Sequence, residues 1–177
     1  MKKETRSRGF RIPGFTTAGI FCGIKTNKQK DLALIFSEEP SVAAGVFTSN
    51  KVVSPTITWC QKSLKSSKTF RAILVNSGNA NACTGPKGIE DCKSLASNFS
   101  KKLSIDPKEI LIASTGVIGI PLPKNKIIKA IPALTEKLSP AGWVQSAEAI
   151  MTTDLSPKLK SSSFYIGKHK ITMGGIA

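Results

Sequence analysis

Over the first eighty residues, apolar and polar positions come in short blocks. Thr16 to Lys25, Leu32 to Ser37, Val42 to Thr48 and Arg71 to Asn76 are apolar runs separated by turn-forming or charged residues. That pattern predicts four strands, and its imperfect alternation suits strands covered on both faces. Asn27-Lys28-Gln29-Lys30-Asp31 and Ser37-Glu38-Glu39-Pro40-Ser41 read as surface loops. The period then lengthens. Ile89, Cys92, Leu95, Ala96, Phe99 and Leu103 lie three and four apart, so they share one face of a helix that follows Pro86. Glu90 and Asp91 near its start, with Lys101 and Lys102 near its end, suit the helix dipole. Asp106-Pro107 turns the chain into a buried strand, Glu109 to Ala113. Ile127, Ile128, Ile131, Leu134 and Leu138 predict another helix, which Pro132 is expected to kink or to divide. Trp143 to Met151 reads as a third helix and Phe164 to Met173, around Gly167-Lys168, as a hairpin. Strands first, then strands mixed with helices, predict the α/β class.

Composition narrows the class further. The 177 residues suit one domain or a large part of a bigger one, and 40% apolar with 21% charged is ordinary for a folded domain. The longest uncharged stretches, Ala72 to Pro86 and Ile110 to Pro123, are too short and too broken to span a membrane as a helix. The basic start and the uncharged Ile12 to Ile24 superficially copy a signal peptide. Pro13-Gly14 and Gly19 interrupt that stretch, and lysines follow where a small-residue cleavage site belongs, so a buried first strand is expected instead.

Lys and Arg number 26 against 11 acidic residues, a net charge of +15, and residues 1–30 carry eight basic residues and one acidic. The excess favours anions in general. Aromatic residues make up only 6%, with none inside a Lys/Arg cluster to stack bases, so specific nucleic-acid binding is not expected. Cys22, Cys60, Cys83 and Cys92 lack the close spacing of a zinc knuckle, and His169 is the one histidine. No metal site is expected, and the cysteines read as structural. His169, between two lysines in the hairpin, reads as a surface residue rather than a base.

Three polar segments each follow an apolar run. Val75-Asn-Ser-Gly-Asn-Ala-Asn-Ala-Cys-Thr-Gly85 crowds side-chain donors and acceptors onto what reads as a tight loop, either a hydrogen-bonded turn before a helix or a binding loop. Ile112-Ala-Ser-Thr-Gly-Val-Ile-Gly119 ends a strand in small residues. There Gly116 lets the backbone approach a ligand, and a hydroxyl with a backbone N–H can stabilise an oxyanion; a plain glycine-containing strand end fits as well. Ala149-Ile-Met-Thr-Thr-Asp154 can cap the next element or bind a polar substrate.

Asn76-Ser-Gly-Asn-Ala-Asn-Ala-Cys-Thr-Gly85, Ser114-Thr-Gly-Val-Ile-Gly119 and Met151-Thr-Thr-Asp154, in this order, resemble the bifunctional ornithine acetyltransferase / N-acetylglutamate synthase family of arginine biosynthesis. Ala18-Gly-Ile20, Gly23-Ile-Lys25, Asp31-Leu-Ala-Leu34, Ala43-Ala-Gly-Val-Phe-Thr48 and Gly174-Gly-Ile-Ala177 extend the resemblance from about Gly14 to the last residue. It implies the N-terminal part of a self-processing acetyltransferase of the N-terminal-nucleophile type, a mixed β-sheet packed with helices. In such an enzyme a threonine freed by self-cleavage takes the acetyl group of N2-acetylornithine and passes it to glutamate. The threonine's own α-amine serves as base, so no histidine is required. The resemblance gives Thr115 and Gly116 as the oxyanion hole and Thr152 as a substrate contact. It implies no cofactor, with acetyl-CoA as a further donor in some members.

The family pattern continues past residue 177 with a Lys-Gly-Ser-Gly-Met-like segment and an Ala-Thr junction. This chain is therefore expected to be a truncated α part, inactive alone, whose partner is the β part in an α2β2 heterotetramer in the cytoplasm. Residues 1–13 are expected to form a basic arm and residues 14–177 an incomplete acetyltransferase domain. Two other classes stay open: part of a related N-terminal-nucleophile amidase or aminopeptidase, and a basic nucleic-acid-binding module.

Overall fold

The structure, a computed structural model, describes residues 10–177. Its first element is β1 (Phe15–Ile20), followed by β2 (Leu32–Ser41), α1 (Pro55–Ser66), β3 (Phe70–Asn79) and α2 (Gly85–Leu103). A short 3-10 turn, Pro107–Glu109, leads into β4 (Ile110–Val117), then α3 (Lys124–Glu136), α4 (Trp143–Ile150), β5 (Leu159–Ile166) and β6 (His169–Ile176). The first four strands form one mixed sheet in the order β1-β2-β3-β4, and β5 and β6 form a separate hairpin. β1, β2 and β3 pair antiparallel, whereas β3 and β4 run parallel with α2 as their crossover.

Strand alternation decides the layers. Ala18, Ile20, Leu32, Leu34, Ala72, Leu74, Ile110 and Ile112 form one apolar face, packed against Leu95 and Phe99 of α2 and Ile127, Ile131 and Leu134 of α3. Burial in this core pushes the Cys92 thiol up to about 12. The opposite face of β1 receives α4: a side chain at Gly19 would collide with the backbone of Gln145, and one at Gly142 with that of Thr17. Phe10 and Ile12 pack on Trp143 and Gly174 respectively. Of the basic arm expected over residues 1–13, residues 1–9 lie outside those described.

The α/β class is as the pattern predicts, and several elements differ in detail. Val42 to Thr48 forms no strand: Val42 and Val46 are almost fully exposed, and this apolar run joins no sheet. The expected loop at Ser37–Ser41 is instead the end of β2, past an irregularity in its register with β3. β1 stops at Ile20, so the second half of the expected first strand is a connection. α3 runs unbroken through Pro132. α1 escapes the apolar pattern because its buried positions include Pro55, Thr56 and Ser63. Asp31, expected on a surface loop, is fully buried. Among the described residues no helix is long and apolar enough to cross a membrane, and no group of three or more His, Cys, Asp or Glu is placed to hold a metal ion.

Candidate active site

Parallel strands leave a crevice beyond their carboxyl ends, and a cavity lies there. It has a volume of about 780 Å³. Gly78 and Asn79 from the end of β3, with Thr115, Gly116 and Val117 from the end of β4, form one side. The β1–β2 connection contributes Ile24 to Asn27 and Gln29, and Thr152 and Thr153 enter just after α4. The three residues singled out in the sequence, Thr115, Gly116 and Thr152, therefore border one space although 36 positions separate the last two.

β4 is an edge strand, and α1 covers only its first half. Trp59 Nε1 donates to the Ile110 carbonyl at 2.8 Å, and Cys60 Sγ lies 3.2 Å from the Ile112 carbonyl. Backbone groups of successive strand residues point to opposite sides. The carbonyls of Ile110 and Ile112 point to the outer edge, while the Val117 carbonyl accepts from Ala80 N–H on the β3 side. The same alternation turns the N–H of Gly116 to the outer edge, beyond the reach of α1. Thr115 is half-buried and Gly116 exposed. A donor pair on an uncovered strand edge can hold an oxygen that becomes anionic.

The Asn-rich motif builds this edge from behind. β3 continues through Asn79, so the expected loop begins three residues later than the pattern suggests. Asn76, Asn79 and Asn81 are buried. Asn76 Oδ1 accepts from the Ser114 hydroxyl at 2.6 Å, and its Nδ2 donates to the Asn79 carbonyl at 2.8 Å. Asn79 Nδ2 donates to the Ile120 carbonyl at 3.0 Å, and Asn81 Nδ2 to that of Gly88 at 3.2 Å. These amides hold strand, loop and helix together, which is the hydrogen-bonded-turn reading; only Asn79 of the three borders the cavity. Gly116 likewise has a use that its sequence context did not suggest. Its φ is +133°, and a Cβ there would collide with the backbone of Gly78, its neighbour across the sheet. The close approach expected toward a ligand is made to β3.

Of the third segment, Thr152 and Thr153 are exposed to the cavity, while Asp154 pairs with Lys158. The Lys158 ammonium holds the Asp154 carboxyl below its ordinary range. His169 is exposed at the start of β6 and does not border the cavity. Lys25, which the pattern alone did not mark, does border it, and burial draws its ammonium pKa down against the opposing pull of Asp31. Its signal was present in Gly23-Ile-Lys25, as one polar residue at the end of an apolar run.

Comparison with known proteins addresses family and fold. The ArgJ family model matches residues 16–177. The arginine biosynthesis bifunctional protein ArgJ of Caldanaerobacter subterraneus subsp. tengcongensis is 46% identical over 164 residues, covering 93% of this chain and 40% of that protein. Its counterpart in Synechocystis sp. is 43% identical with the same coverage. The chain thus spans about 40% of the length of the curated relatives it matches. Among solved structures, ArgJ from Bacillus halodurans superposes with a TM-score of 0.88 at 35% identity, over 94% of this chain and 86% of that one. The ornithine acetyltransferase of Mycobacterium tuberculosis, complexed with ornithine, gives 0.85 at 36% identity over 94% and 88%. The family model over residues 16–177, the sequence identities and the shared fold together show that this chain belongs to the ArgJ family.

Proposed function

We propose that this chain is the α part of an acetyltransferase of arginine biosynthesis that moves an acetyl group from N2-acetylornithine to glutamate. The reading rests above all on one observation: Thr115 and Gly116 stand on the uncovered end of β4, facing the same cavity as Thr152. In the reaction a threonine hydroxyl from the β part attacks the acetyl carbonyl carbon, and its proton passes to that residue's own α-amine. The Thr115 hydroxyl and Gly116 N–H donate to the carbonyl oxygen as it becomes anionic. The C–N bond breaks, the proton returns to the departing amine, and ornithine leaves an acetyl ester. The amine of glutamate then attacks that ester through the same oxyanion site, giving N-acetylglutamate and restoring the hydroxyl. Thr152 contacts the amino-acid portion of the donor.

Supporting this, the solved relative complexed with ornithine shares the fold at 36% identity. The open outer edge of β4 and exposed Val117, Ile118 and Ile120 beside it suit covering by the β part, within an α2β2 assembly. No cofactor is needed for this route, and acetyl-CoA is an alternative donor of the same acyl group. The place proposed for this assembly is the cytoplasm.

Thr115→Val in the complete enzyme tests the assignment. It keeps the side-chain volume and removes the donor, so turnover is expected to fall about 10²–10³-fold with the melting temperature preserved. Wild-type turnover would reject the oxyanion role. Residues 1–177 alone are expected neither to cleave themselves nor to transfer acetyl groups.

A further inference from the structure

The Asp31 carboxylate is buried and accepts from three backbone N–H groups: Cys22 at 2.6 Å, Ile24 at 2.6 Å and Lys25 at 2.9 Å. The connection between β1 and β2 is thus wound around one carboxylate, which fixes its shape. Lys25 leaves this turn close over β3, since a Cβ on Gly78 would lie 3.2 Å from its Cγ. Its ammonium donates to the Lys30 carbonyl at 3.0 Å and to the Met151 carbonyl at 2.7 Å. Met151 caps the C-terminus of α4, and the next two residues, Thr152 and Thr153, border the cavity. Carbonyls at a helix C-terminus have no intrahelical partner and carry the negative end of the dipole, so an ammonium matches them well. Ser77, the cross-strand neighbour of Thr115, grips the same helix end through the Ala149 carbonyl at 2.6 Å.

We infer that Lys25 is a positioning residue: its ammonium ties the exit of α4 to the Asp31-wound turn and so sets where Thr152 stands relative to Thr115 and Gly116. The inference rests on the acetyl-transfer reading and extends it. Thr115 and Gly116 belong to the sheet itself, whereas Thr152 follows a helix end held from outside, by Ser77 at Ala149 and by Lys25 at Met151, the residue next to Thr152. Losing the Lys25 anchor disturbs the grip on the donor before it disturbs the oxyanion site. The effect therefore belongs in KM for the acetyl donor rather than in kcat.

The test is a double-mutant cycle in the full-length enzyme with N2-acetylornithine and glutamate, using Lys25→Met, Thr152→Val and both together. Lys25→Met is expected to raise KM for N2-acetylornithine about tenfold, the scale of one charged hydrogen bond, with kcat changed far less. The double variant is expected to be little worse than the poorer single variant, because both changes remove one grip. Lys25→Arg, which restores a cationic donor, is expected to recover most of the loss. In Lys25→Met, hydrogen exchange is expected to quicken about tenfold at amides 151–154, with the β2 and β3 amides unchanged. A wild-type KM in Lys25→Met, single-variant effects that multiply in the double variant, or faster exchange throughout the sheet would each overturn the inference; the last would make Lys25 a general stability residue. A wild-type enzyme that transfers no acetyl group would defeat the acetyl-transfer reading instead, and the exchange comparison would still decide whether Lys25 holds the turn.

Discussion

Gly116 combines two demands at one residue, a backbone at φ +133° and a strand neighbour so close that a Cβ has no room. The first costs about 1–3 kcal/mol for a residue with a side chain, and the second adds a displacement of β3 from β4. Gly119 provides a control, because its φ is +82° but a Cβ there meets nothing within 4 Å. Gly116→Ala is therefore expected to lower the melting temperature clearly more than Gly119→Ala. At about 2–4 °C per kcal/mol for a chain of this size, scanning calorimetry resolves the difference. Equal shifts would mean that the two strands separate at little cost. Neither distance nor φ can be read from Ser-Thr-Gly: the tripeptide permits the conformation, and only the pairing with Gly78 requires it.

At the scale of elements, the join between β3 and α2 depends on side-chain amides. Asn81 is fully buried at φ +46°, donates to the Gly88 carbonyl and accepts from the Thr84 hydroxyl at 2.8 Å. Asn81→Ala removes both of these bonds, which join loop to helix, and alanine tolerates the left-handed conformation less well. A loss of about 1–3 kcal/mol is expected in urea unfolding; a change under a few tenths would show that water replaces the amide. The helix after Pro86 was legible because one apolar stripe at 3.6 spacing persists along it. α1 was not, because Trp59 and Cys60 work as an edge cover for β4 rather than as part of such a stripe. Val42 to Thr48 has the composition of a strand, but composition does not supply a pairing partner, and the sheet β1-β2-β3-β4 is built without this run.

For the whole molecule, the net charge of +15 exceeds what an anionic amino-acid substrate requires. Lysines spread over a surface bind polyanions through counterion release, with log K falling by about 0.9 per phosphate neutralised for each unit of log[salt]. Filter binding to duplex DNA is expected to be weak, indifferent to sequence and largely lost between 50 and 200 mM salt. Retention that survives such salt and depends on sequence would reveal a dedicated nucleic-acid face. Thr115, Gly116 and Thr152 were already legible in the sequence, but through motif resemblance; residue pattern left each between a structural and a functional reading. Lys25 and Asp31 were not legible as a pair, since Asp31 sits in a run of polar residues that has every local mark of a solvated loop.

What the sequence determined by itself is local and periodic: the apolar faces of β1 to β4 and α2, the turn at Gly167-Lys168, and the order of three polar motifs. Those follow from side-chain spacing and backbone preference, which act over a few residues. Tertiary structure decided which face of the sheet α4 covers, which half of the β4 edge stays open, and that residues as distant as Lys25 and Met151 share a hydrogen bond. Such pairings depend on burial and on unsatisfied backbone groups seeking partners through space. They become definite only once the chain has packed.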